Sequence, residues 1–359
     1  MKLKYNIYIK ILFVSIMTII VSNSCERKDF NNLGTFSFND FQKIDMSLQR
    51  EFLTDDPDVV GNPLNIKAIN DSIVAISRMN ENRHVILFNI KSGKTQTSVF
   101  QGMGPSEMLN VCGMSVDNHG NLWLAGQIDR KVMTSRWDED EDENAVTELK
   151  IHSPSDMLRG VSDGNGGIIA MPAIADSVRL VMIDHNGAKV DSITIFPHSE
   201  LPQSIQPNNF IFQADLCYSP KQGKAVTANR SWNEIEIYNI ANHDIISIKA
   251  PLKEEIKIEK KVHGDAYSCE PKPFWHLFSG VSCGDKYFLV GYVGVKIQSD
   301  EDYSKYCNQL LEFNWNGKPN RTFIPATEAM LFDVDYDNGY IYTIENNPDP
   351  TLYRYKITL

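Results

Sequence analysis

The residues of this chain best suited to chemistry stand at the ends of strand-like runs. Arg78, Arg83, Glu107, Arg130, Asn229, Arg230, Trp232, His263, Trp275, His276 and Asn346 each fall between two stretches of alternating apolar and polar residues. Guanidinium, amide and imidazole groups beside indole rings suit recognition of a polar ligand, neutral or anionic, such as a glycan or a peptide. Trp232 sits outside the alternation of its flanking runs, and Trp275-His276 close the longest insertion between them. An exposed ring beside Arg reads as a recognition surface, because one indole supplies a large apolar area at little entropic cost. The alternative is an indole wedged between packed units.

Catalytic patterns are sparse. Ser and Asp are so abundant that any His could be matched into a triad by chance, and no nucleophile elbow is expected. Glu107, Glu234 and Glu345 are the acids to test, each read first as a hydrogen-bonding rim residue. Gly102 to Glu107 could cradle a phosphate, but no helix and no GK[ST] ending follow. The segment reads instead as a turn whose glycines allow positive φ and whose Glu107 caps neighbouring amides. Asp333 to Gly339 has oxygen donors at alternate positions, as a calcium loop does, yet Ile344 stands where the bidentate Glu belongs, so a structural hairpin is expected. His243, His263 and His276 show no metal-ligand spacing. No catalytic residue, metal ligand or cofactor is assigned.

What must position these residues begins after an export signal. Lys2, Lys4 and Lys10 precede an apolar run from Ile11 to Val21 and a small-residue stop, Ser22-Asn23-Ser24, before Cys25. The run is about half the roughly 20 residues that a spanning helix needs. The layout resembles a bacterial lipoprotein signal, which implies cleavage before Cys25 and acylation of that cysteine. Residues 1–24 are then the signal peptide, 25–39 a lipidated tether, and 40–359 the folded part, held at a bacterial outer membrane and facing either the periplasm or the outside. The whole chain has a formal charge of −11, and the leader holds three lysines and no acid, so the mature chain carries −14. That acidity excludes nucleic acid as a partner, which needs clustered Lys and Arg. Five cysteines remain, an odd number, with none at CxxC spacing. Cys112, Cys217 and Cys283 read as buried thiols, and Cys269 with Cys283 or Cys307 as the candidate disulfides.

Past residue 64 the chain repeats one grammar of short strand, tight polar turn, strand, loop and two further strands. Six units of about 45 to 50 residues fit the blades of an all-β propeller. The last unit is one strand short, and the segment from Phe41 to Phe52 is the stretch able to complete it. The acidic run Asp138 to Glu143 reads as a solvated loop at a blade edge.

The turns Asp117 to Trp123, Asp163 to Gly167 and Asp337 to Tyr342 resemble the inner hairpins of six-bladed TolB-like and NHL-type propellers. Gly102-Met103-Gly104-Pro105-Ser106-Glu107 resembles the Gly-x-Gly-Pro-Gly-Glu signature of six-bladed propeller lipoproteins of Bacteroides-type bacteria, with Ser106 in place of the third glycine. The resemblance implies a fold and no mechanism. Two functions are carried forward. The first is a non-enzymatic, membrane-anchored module that presents its rim to a glycan, peptide or protein. The alternative is a propeller hydrolase or lyase acting on sugars or lactones with a rim-bound divalent ion.

Overall fold

The computed structural model describes residues 30–173, 178–194, 212–263, 266–299, 301–302, 305–346 and 348–357. The expected signal peptide and Cys25 lie outside the described residues. Three N-terminal strands, β1 (Phe30–Thr35), β2 (Gln42–Asp45) and β3 (Arg50–Thr54), precede the first blade. Blade 1 is β4 (Pro63–Ala68), β5 (Ile73–Arg78), β6 (Arg83–Asn89) and β7 (Thr95–Gln101), extended by the short β8 (Glu107–Met108). Blade 2 is β9 (Val111–Val116), β10 (Leu122–Gly126), β11 (Lys131–Arg136) and β12 (Val146–His152). Blade 3 is β13 (Met157–Ser162), β14 (Ile168–Pro172), β15 (Leu180–Ile183) and β16 (Lys189–Ile193). Blade 4 is β17 (Ala214–Ser219), β18 (Lys224–Asn229), β19 (Ile235–Asn239) and β20 (Ile245–Lys249).

A separate hairpin, β21 (Lys257–His263) and β22 (Ala266–Lys272), fills the insertion that the sequence leaves unassigned. Blade 5 is β23 (Trp275–Cys283), β24 (Tyr287–Lys296), β25 (Gln309–Asn314) and β26 (Pro319–Ile324). Blade 6 is β27 (Ala329–Asp335), β28 (Tyr340–Asn346) and β29 (Pro350–Lys356), and its fourth strand is β3. The closing segment is therefore Arg50–Thr54 rather than all of Phe41 to Phe52. Upstream, β1 pairs in parallel with β20 and β2 in parallel with β26. The N-terminal chain thus runs along the outer edges of blades 4, 5 and 6 in turn. Residues 30–39, expected as tether, belong to this strap.

The residue pattern explains why the blades form. A middle strand of a blade faces a neighbouring blade on each side, so β5 (Ile73–Arg78) is buried at every position and its sequence loses the alternation of a half-buried strand. Outer strands keep a solvent face, as β12 and β16 do. Among the described residues the apolar core divides into clusters, one at each contact between blades. The acidic run Asp138 to Glu143 lies in the exposed connection from β11 to β12.

Buried polar contacts cross these seams. Arg179, fully buried in blade 3, places Nη2 2.8 Å from Glu236 of blade 4 and donates from the same nitrogen to Asn229 at 3.1 Å. The cysteines pair differently from expectation. Cys217 on β17 bonds to Cys283 on β23, joining the inner strands of blades 4 and 5, while Cys112 and Cys307 are buried free thiols. The expected pairing was Cys269 with Cys283 or Cys307; the ring instead brings together cysteines 66 residues apart.

A cross-link closing a loop of that length restricts the unfolded chain strongly, by about 4 kcal/mol on chain-entropy grounds. Replacing Cys217 and Cys283 together with Ser is expected to lower unfolding free energy by about 2–4 kcal/mol in denaturant titration, and reduction of the wild type is expected to have the same effect.

Candidate functional site

The six innermost strands, β4, β9, β13, β17, β23 and β27, surround the channel. Blades crowd closely there. A Cβ on Gly113 of β9 would lie 2.0 Å from the carbonyl oxygen of Gly160 on β13, so glycine is required for this approach of inner strands. The narrow part of the channel holds a cavity of about 90 Å3. It widens to about 600 Å3 at the rim made by the turns between first and second strands, where Asp117, Asp285, Lys286, Asp335 and Asp337 gather.

The opposite rim is built from the turns between second and third strands and the connections between blades. Here Asp215, near the start of β17, gathers two arginines. Its Oδ1 accepts from Arg159 Nε at 2.9 Å and from Arg230 Nη2 at 3.2 Å, and its Oδ2 accepts from the Gly280 amide at 2.8 Å. Burial pushes this carboxyl up, but Arg230, Arg159 and the amide outweigh it and hold it well below the usual carboxylate range. His276, half-buried on β23, is driven down by burial and then by the Arg230 charge, with Asp215 opposing. It is therefore neutral near pH 7. Deeper in the channel, Lys67 Nζ lies 3.0 Å from Asp333 Oδ1, which also accepts from Ser282 Oγ at 2.7 Å, while Asp333 Oδ2 accepts from the Ala68 amide at 2.8 Å.

Of the rim residues named from sequence, Arg230 and His276 meet at this mouth. The others are dispersed. Arg78 is buried and braces its own loop, donating to the carbonyls of Arg83 at 2.6 Å and Asp58 at 2.9 Å. Arg83 binds the Thr97 and Thr95 hydroxyls of the adjacent β7. Arg130 pairs with Asp156 at 2.6 Å, Asn346 is exposed at the end of β28, and Asn229 is buried in the Arg179–Glu236 network. His263 lies on β21, and its side chain is outside the described residues.

Trp232 and Trp275 are wedges. Both are half-buried and pack on the core between blades 4 and 5, and Trp232 meets Phe212 edge to face at 5.3 Å. Trp275 opens β23 instead of ending a loop, so its indole is carried by a strand into the contact between blades, the alternative that the sequence left open.

Glu107 caps its own loop, as expected, accepting from the Gly104 amide at 2.7 Å. The glycines serve that carboxylate. A Cβ on Gly102 would lie 2.0 Å from Glu107 Oε2, and neither Gly102 nor Gly104 has positive φ, so close approach replaces the expected backbone freedom. Lys131 secures the loop from beneath through the carbonyls of Met103, Gly104 and Glu107. The Asp333 to Gly339 segment is a hairpin whose Asp335 accepts from the Asn338 amide at 3.0 Å.

Arg159 and Asp215 carry no sequence signal beyond their charge inside an inner strand. Contrary to the expectation of no nucleophile elbow, the Gly-x-Ser-x-Gly spacing does occur, at Gly280-Val281-Ser282-Cys283-Gly284. Its Ser282 is buried within β23 and donates to Asp333, so this is a strand and no elbow.

The model of the TolB-like six-blade propeller family matches residues 40–337. This chain belongs to that family. No curated protein sequence matches it. Among solved structures, a Bacteroides fragilis protein described as exported superposes with a TM-score of 0.53 at 12% identity, covering 92% of this chain and all of its own. The Cps50 (Swd1) β-propeller domain from Myceliophteria thermophila follows with a TM-score of 0.44 at 11% identity, covering 83% of this chain and 98% of its own. The RRP9 WD40 repeats give 0.47 at 9% identity, covering 87% and 98%. At 12% identity the likeness to the Bacteroides fragilis protein shows the fold alone.

Two outcomes test the packing described here. Trp275→Ala is expected to cost about 2–3 kcal/mol in chemical unfolding, short of the value for a wholly buried indole; a change near zero would return Trp275 to the recognition surface. Glu234, beside the Trp232 turn, has its carboxyl pushed up to about 8 by burial and the neighbouring Glu236, with Lys249 pulling down. A raised carboxyl binds its proton more tightly in the folded chain, so its contribution declines as pH rises from about 4.5 through 8. Glu234→Gln is expected to flatten the dependence of melting temperature on pH across that window.

Proposed function

We propose that this propeller is an extracytoplasmic, lipid-tethered binding module that holds a polar ligand over the channel on the Arg230 rim. The observation that carries the reading is the convergence of Arg159, Asp215, Arg230 and His276 at one mouth. Guanidinium and neutral imidazole groups around a narrow cavity orient a ligand by hydrogen bonds and charge without requiring a reaction. The ligand is a glycan, a peptide or an exposed segment of a protein. The Cys217–Cys283 bond suits an oxidising compartment, and the leader ending at Cys25 supplies the export route and the anchor. The similarly folded Bacteroides fragilis protein described as exported agrees with that address. The location proposed is the bacterial outer membrane, with the propeller in the periplasm or at the surface. For the alternative of a metal-dependent hydrolase or lyase, no group of three or more His, Cys, Asp or Glu side chains is arranged as metal ligands among the described residues.

Fractionation tests the anchor: Cys25→Ala is expected to move the protein from the membrane pellet to the soluble fraction, and retention after high-salt washing would refute acylation. Screening peptides and oligosaccharides by thermal shift tests the module, and stabilisation that disappears in a His276→Ala variant of unchanged melting temperature is the expected result. Turnover of any screened compound by the purified protein would replace this reading with an enzymatic one.

A further inference from the structure

The cavity at the narrow part of the channel carries an unbalanced charge. Lys67, Arg159 and Arg230 face it, with Asp215 and Asp333 as the carboxylates among its lining residues. Asp333 is matched by Lys67 and further held by Ser282 and the Ala68 amide. Asp215 is shared between two guanidiniums and gives its second oxygen to the Gly280 amide. Among the described residues the other ionisable neighbours add nothing to this count. Burial pushes the Cys112 thiol up to about 12, and His276 is kept neutral. One positive charge remains, and Arg230 is the group left short, for its buried Nε has no acceptor among the described residues. Leaving a buried charged donor without a partner is unfavourable, a penalty that a bound acceptor removes.

We infer that this cavity takes the carboxylate of the ligand, with Arg230 as its principal donor. The inference rests on the binding-module reading above and specifies its chemistry. A carboxylate carries the single negative charge that the site lacks, whereas a phosphate dianion would leave the channel negative. Its planar pair of oxygens matches the fork of a guanidinium. The cavity of about 90 Å3 accommodates such a terminal group and leaves the remainder of the ligand over the rim near His276. A peptide C-terminus and a uronic acid share this group.

Isothermal titration of the full mature protein with four probes separates these cases: acetyl-dialanine, its C-terminal amide, glucuronate and glucose. The free acids are expected to bind about tenfold or more tightly than their neutral counterparts, the scale of one charge-assisted hydrogen bond. Arg230→Gln is expected to remove that preference and Arg230→Lys to restore part of it. Tighter binding of acetyl-dialanine or of glucuronate identifies the source of the carboxylate. Thermal shift of the wild type by acetate against acetamide gives the same comparison without any variant. Equal binding of acid and neutral probes would overturn the carboxylate assignment while leaving the module intact. A preference that survives Arg230→Gln would overturn the role of Arg230, and no binding of any acid at millimolar concentration would overturn the inference, the wider screen then deciding the module separately.

Discussion

A ring of blades must close, and here closure is made by five residues from the start of the folded chain pairing with its last strand. β3 lies antiparallel to β29, with Tyr355 opposite Arg50 and Tyr353 opposite Phe52. The join is fixed by charge as well as by ladder hydrogen bonds. Arg50 Nη2 lies 2.7 Å from Glu345, which is wholly buried, and its guanidinium stacks 3.6 Å above the Tyr353 ring. Tyr355, Thr343 and Thr327 donate to the same carboxylate. Removing one member of a buried pair costs about 3–5 kcal/mol because the other charge is left uncompensated, so Glu345 makes the position of β3 specific.

The strap upstream of β3 extends the same constraint. β1 and β2 each add a parallel fifth strand to a neighbouring blade, and Phe36 and Phe41 pack edge to face on one another between blades 4 and 5. An outer blade edge exposes unpaired amides and carbonyls that invite pairing with other chains, and the strap covers two such edges. The same sector carries the Cys217–Cys283 bond, the Trp232 and Trp275 wedges and the Arg179–Glu236 pair at its border. Among the described residues, blades 4 to 6 are cross-braced in several ways, and Arg230 and His276 are mounted on them.

Buried polar groups divide into those that hold the ring and those that face its channel. Asn229 and Glu236 are satisfied within the seam between blades 3 and 4, whereas the very next residue, Arg230, reaches Asp215 and leaves its Nε without an acceptor. The difference comes from the turn after β18, which aims successive side chains to opposite sides.

The sequence by itself determined the fold class, because tight Asp, Asn and Gly turns between short apolar runs are local signals that need no distant partner. It also showed that Gly102 to Glu107 is a self-capped loop, since Glu107 and Gly104 are three residues apart. Tertiary structure alone decided the rest. The middle strands are buried on both faces, so alternation along β5 could not reveal which side meets which blade. The disulfide joins cysteines chosen by the stacking of inner strands, and the tryptophans that stand outside alternation are covered by a neighbouring blade. The channel mouth assembles Arg159, Asp215, Arg230 and His276 from four separate segments. Their meeting depends on ring curvature and strand register, which arise only when all six blades pack.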